Sequence, residues 1–140
     1  MYHKILIAHD GSDGAQKAFN AALELASQLK AELHLVSVEE DLPRHVQTID
    51  EAQEEKEEAD GYFQQLAVQC TRLAALKEMR LKCHALSGHE VKSIVEFSRQ
   101  GGYDLLVVGF TGHSRLYDHL WGGTSQNLVR LAYCPVLVVK

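Results

Sequence analysis

The stretch VVGFTGHSRLYDHLWGGTS, Val107 to Ser125, decides how this chain is read. An apolar run, Leu105-Leu106-Val107-Val108, stops on Gly109, and Gly112 follows three residues later. After nine more residues Gly122-Gly123-Thr124-Ser125 opens a stretch with helical spacing that runs to Ala132. A buried strand, a glycine-bearing loop and a helix N-terminus therefore follow one another. Turns and a cap explain such a pattern structurally. An anion held by free backbone N–H groups explains it functionally.

Working outward, apolar strand patterns alternate with helical ones. Ile5-Leu6-Ile7-Ala8 is a short buried strand that ends in the turn His9-Asp10-Gly11-Ser12. Ser12 or Asp13 can cap the helix that follows, whose apolar stripe is Ala18, Ala22, Leu25, Ala26 and Leu29. Ala31 to Val38 reads as a second strand, and Glu39 to Gln47, with Pro43, as a loop. Thr48 to about Lys77 is a long helix, with Ile49, Ala52, Ala59, Phe63, Leu66, Cys70 and Leu73 inward and the EEKEEAD run in water. Met79 to Leu86 alternates as an edge strand does, and Ser87-Gly88 turns the chain. Val91, Ile94, Val95 and Ser98 mark a helix ending at Gly101-Gly102. Leu105 to Val108 is the most apolar strand and is expected at the centre; Pro135 to Lys140 is the last strand. The alternation predicts one α/β domain over residues 1–140: an open parallel sheet with right-handed crossovers and helices on both faces.

Composition narrows the function. Net charge is -5, with no cluster of Lys and Arg, which argues against nucleic acid and against an anionic membrane surface. No apolar run approaches a membrane span, and the N-terminus has no secretion-signal pattern, so a cytoplasmic location is expected. Cys70, Cys83 and Cys134 are widely spaced within apolar patterns and read as reduced thiols, not as a disulfide frame or metal knuckle.

Open parallel sheets bind ligands beyond the carboxyl ends of their strands, where the strand order reverses. Two strands here end in suitable residues: the first in His9-Asp10-Gly11-Ser12, the fourth in Gly109-Phe110-Thr111-Gly112. If they are neighbours, both turns and the helix opening at Gly123 face one crevice. There is no Walker-type phosphate loop, no G-x-G-x-x-G after the first strand, no nucleophile elbow and no C-x-x-C.

These residues resemble the universal stress protein family over essentially the whole chain. The family's glycine motif, G-x2-G-x9-G-[S/T], is matched in spacing by Gly109, Gly112 and Gly122. KILIAHDGSDGAQKAFNAALELA resembles its first strand, aspartate turn and first helix, and CPVLVVK its last strand. The resemblance implies a five-stranded parallel sheet in the order 3-2-1-4-5, a Rossmann-like fold of the adenine nucleotide alpha hydrolase type. It implies a homodimer through the last strand, Val136 to Val139, and ATP or another adenylate as ligand, with Mg²⁺ on the phosphates and no protein ligands to a metal. Carried over by position, Asp10 and the Val38 backbone would hold adenine or ribose, beside Ala8 and His9. Gly109, Gly112, His113, Gly122, Gly123, Thr124 and Ser125 would surround ribose and phosphates.

Two positions depart from the family pattern. Gly123 stands where the motif has Ser or Thr, which removes a hydroxyl donor worth about 0.5–1.5 kcal/mol to a neutral partner and up to about 3 to a charged one. Ala8-His9 replaces Pro-Val before Asp10; His9 either lies near a base or is a strand-end histidine. Ser12 reads as a cap, Trp121 as a core or interface anchor, and His113 and His119 as loop residues without metal spacing. Two functions follow: a stress-response module that binds ATP with little or no hydrolysis, or a dimeric interaction protein of the same family that binds no nucleotide.

Overall fold

In a computed structural model, which describes residues 1–40, 49–111 and 123–140, five strands form one parallel sheet in the order β3-β2-β1-β4-β5. The strands are β1 (Lys4–Ala8), β2 (Glu32–Glu39), β3 (Leu81–Ser87), β4 (Leu105–Gly109) and β5 (Val136–Val139). The helices are α1 (Asp13–Leu29), α2 (Ile49–Leu76), α3 (Glu90–Gln100) and α4 (Thr124–Leu131). β1 pairs with β2 from Lys4↔Glu32 to Ala8↔Val36, and with β4 from Ile5↔Leu105 to Ile7↔Val107. The middle strand is thus β1, not β4. The apolar run of β4 reflects its place between β1 and β5, covered on both faces.

Side chains alternate across the sheet and build two cores. On one face Ile5, Ile7, Leu33, Leu35 and Val107 meet α1 and α2. On the other, Leu6, Val36, Leu106 and Val108 meet α3 and α4. Helix α1 presents Ala15, Ala18, Phe19, Ala22, Leu23 and Ala26, a stripe at helical spacing whose small residues let it lie close to the sheet. Leu29, expected on that stripe, is exposed at the helix end, next to the left-handed C-cap Lys30, while Ala26 in the same turn stays buried. Phe19 is fully buried, which contributes about 1.5–3 kcal/mol of transfer free energy.

Helix α2 is anchored at few points. Leu66, Cys70 and Ala74, at steps of four, are its buried residues. Ile49 and Leu73, expected inward, are exposed, the first at 88%. The acidic run Glu54 to Glu58 faces water as its composition requires. At the β3 edge the alternation fades: Ala85 is exposed, and His84 turns inward against Phe97. All three cysteines are free thiols, and burial pushes Cys70 up to about 12.

Candidate functional site

The carboxyl ends of β1 and β4 lie side by side, at the point where the sheet order reverses. Three pieces meet there: the β1–α1 turn, the end of β2 and the N-terminus of α4.

The turn is fastened by its own side chains. The Asp10 carboxylate accepts the Ser12 N–H at 2.9 Å, a local turn that aspartate forms readily. Ser12 caps α1 by accepting the Ala15 N–H at 3.1 Å, and its hydroxyl donates to the Thr111 carbonyl at 3.4 Å, tying the turn to the end of β4. Gly11 adopts φ +85°, a conformation that favours glycine. His9 is buried; its Nδ1 accepts the Gly11 N–H at 3.0 Å, and its Nε2 lies 3.3 Å from Gln16 Oε1. The ring therefore builds the turn from inside.

β2 overshoots β1. In a parallel ladder alternate residues aim their backbone groups at the same neighbour. The Val36 carbonyl accepts the His9 N–H at 3.0 Å, so Val36 faces β1. Val38, two residues on, faces the same way, beyond the last paired residue of β1, Ala8. Its N–H and C=O are directed at the mouth of the crevice.

Gly123 is the N-cap of α4, with φ -62°, ψ 169° and no side-chain hydrogen bond to the first turn. The first turn of α4 thus lacks the hydroxyl acceptor that a serine would give its N–H groups. Thr124 and Ser125, half-buried, begin the helix. Gly109 has a different reason to be glycine. It sits on the α1 face of β4, and a Cβ there would come within 2.6 Å of the Gly14 backbone. Its missing side chain makes room for α1, so only its backbone is left for a ligand. Gly112, His113 and Gly122 lie outside the described residues, as do Arg115, His119 and Trp121.

Two residues of the crevice escaped the sequence. Glu90, the first residue of α3, is half-buried; burial first, then the charges of Asp10 and Glu40, push its carboxyl up to about 7, against a smaller opposing effect of the Thr124 hydroxyl. An acid in a helix's first turn looks like a routine dipole partner, which hid it. Tyr62 of α2 donates its hydroxyl to the Asp10 carbonyl at 3.4 Å. It stands one turn before Leu66 on the stripe that continues through Cys70 and Ala74, and that spacing is the signal that could have found it. Among the described residues no group of three metal-ligating side chains could hold a metal ion.

The strand order and the crossovers define a doubly wound α/β protein with its β1 and β4 ends side by side. The chain belongs to the universal stress protein family, whose model matches residues 1–140. It is 30% identical to universal stress protein YxiE of Bacillus subtilis (strain 168), over the whole of both chains. It is 32% identical to universal stress protein MJ0531 of Methanocaldococcus jannaschii, over all of this chain and 83% of that one. Universal stress protein UspA from Lactobacillus plantarum superposes with a TM-score of 0.89 at 28% identity, covering 99% of this chain and 98% of that one. A universal stress protein in complex with cAMP shares the fold at TM-score 0.75 and 22% identity, covering 99% and 97%. So does a family protein from Arabidopsis thaliana with AMP bound, at 0.72 and 18%, covering 99% and 91%.

Proposed function

We propose that the crevice binds an adenine nucleotide, ATP in the first instance, and that the protein is a stress-response module acting through the bound state and not through turnover. The base lies against the Val38 backbone, Asp10 takes the ribose, and the phosphates lie over Gly123, Thr124 and Ser125. Gly109 lies beside them; Gly112, His113 and Gly122, outside the described residues, are assigned to the site by the family motif alone, and Mg²⁺ accompanies the phosphates without a protein ligand. The observation that carries this reading is the meeting of a β2 backbone that runs past its last partner in β1, an aspartate turn and a helix N-terminus without a side-chain cap in one crevice. The relatives solved with cAMP and with AMP support an adenylate as the ligand class.

A second copy is proposed to pair along Val136 to Val139. Among the described residues β5 is an edge strand, and Val129, Leu131, Tyr133 and Leu137 are exposed near it. That surface also favours the alternative, an interaction protein without nucleotide.

The test is calorimetric titration with ATP and AMP, together with analysis of nucleotide released when freshly purified protein is heat-denatured. Binding that Asp10→Ala weakens tenfold or more supports the site. No released nucleotide and no heat with either ligand would turn attention to the β5 surface.

A further inference from the structure

We infer that Tyr62 is a positioning residue for Asp10, so that helix α2 sets how the crevice grips a ribose. This rests on the reading of the crevice as an adenylate site.

Two independent features place Tyr62 there. The first is the hydrogen bond from its hydroxyl to the Asp10 carbonyl at 3.4 Å, which spans 52 residues of sequence. The second is the shape of the turn. A side chain on Gly11 would collide with the Tyr62 hydroxyl, so the turn leaves open the space that the phenol fills. Gly11 thus answers two demands, a positive φ and a seat for Tyr62. The ring itself is steadied by an edge contact with Phe63, at 5.4 Å between centroids and 70° between planes, and Phe63 packs on the core beneath α2.

The consequence falls on the Asp10 carboxylate. Its Oδ1 is fixed by the Ser12 N–H within the same turn, so carboxylate and backbone move together. Holding the Asp10 carbonyl therefore holds the carboxylate. The Asp10 carbonyl can only accept, so the Tyr62 phenol is the donor; burial, and then the charge of Asp10, push its pKa further up. A carboxylate fixed before binding accepts sugar hydroxyls without a further ordering cost.

The experiment compares the wild type with Tyr62→Phe by calorimetry, using AMP and 2′-deoxy-AMP as probes, with melting temperature measured on both proteins. A carboxylate that has to be ordered on binding predicts AMP affinity weaker by about threefold to tenfold. The ratio of AMP to 2′-deoxy-AMP affinity narrows, and the melting temperature falls by no more than the few degrees that one lost hydrogen bond costs. Unchanged AMP affinity overturns the inference. So does an equal loss for both nucleotides, since a generally loosened site would not discriminate at the sugar. A wild type that binds neither probe overturns the reading of the crevice, and the inference with it.

Discussion

The imidazoles of His34 and His84 meet edge to edge across neighbouring strands. Nδ1 of His34 lies 3.0 Å from Nε2 of His84, and the ring planes are within 6°. Centroids 5.3 Å apart in near-parallel planes are too distant for close face stacking. The nitrogen gap accounts for most of that separation, so the rings share one plane and an N–H···N bond. The Tyr103 hydroxyl is 2.9 Å from the same Nδ1 of His34. Nε2 of His34 is buried with no hydrogen-bond partner among the described residues, and Glu32 Oε2 lies 3.8 Å away.

This pair makes the fold acid-sensitive. Burial, then His84 and Lys4, lower the His34 pKa against a pull from Glu32 that exceeds only the push of Lys82; burial, then Lys4 and Lys82, lower that of His84. Both rings bind a proton less readily folded than unfolded. Stability therefore rises with pH through this window: it is present above the ordinary value of 6.5 and is lost as pH falls below it. Denaturant titrations of His84→Gln should show a shallower loss between neutral and mildly acid pH than the wild type. An identical slope would remove the pair from the account.

Glu90 acts in the opposite sense over an overlapping window. Its carboxyl binds a proton more tightly folded than unfolded, so stability falls as pH rises from the ordinary 4.5 to about 7. Glu90→Gln should be more stable than the wild type at about pH 8 and no more stable at about pH 5. The variant should also expose the full histidine slope that Glu90 partly cancels. Chemical denaturation at the two pH values checks both.

Gly109→Ala should destabilise the protein by about 1–3 kcal/mol, whether or not nucleotide is present, because the added methyl meets the backbone of Gly14. Thermal denaturation without ligand is the measurement. A neutral effect would mean that α1 can move aside at no cost.

Gly123→Ser should raise stability by only a few tenths of a kcal/mol, since glycine is itself a tolerable N-cap. The larger effect is expected on the ligand. A hydroxyl at the start of α4 should tighten adenylate binding by roughly threefold to tenfold. Calorimetry that finds the affinity unchanged would place the phosphates elsewhere.

The strand and helix periods made the layered fold readable, and the adjacency of the β1 and β4 ends followed from the family's strand order. Ser12 was legible as a cap because a capping hydroxyl acts on its own neighbours in sequence. The role of Gly109 was not, because the atom it avoids belongs to Gly14, ninety-five positions away. Tyr62 and Glu90 were missed for the same reason: each acts on a partner brought near only by the fold. Ile49 and Leu73 satisfied a helical period yet stayed in water, since a period says which residues share a face and not how far the supporting sheet extends. From sequence His9 reads either as a residue near a base or as a strand-end histidine; its buried ring accepts the Gly11 N–H, a contact within the turn that the sequence does not show.

The sparse anchoring of α2, with Leu66, Cys70 and Ala74 as its deeply seated residues, gives the molecule an uneven cooperativity. Lifting this one helix forfeits few apolar contacts compared with unravelling the sheet, so it forms a natural low-energy opening unit. When it lifts, the Tyr62 hydroxyl leaves the Asp10 carbonyl and the Cys70 thiol reaches solvent in the same event. The rate at which Cys70 reacts with a thiol reagent is therefore a clock for the crevice as well as for the helix, and a bound adenylate that needs the closed turn should slow it.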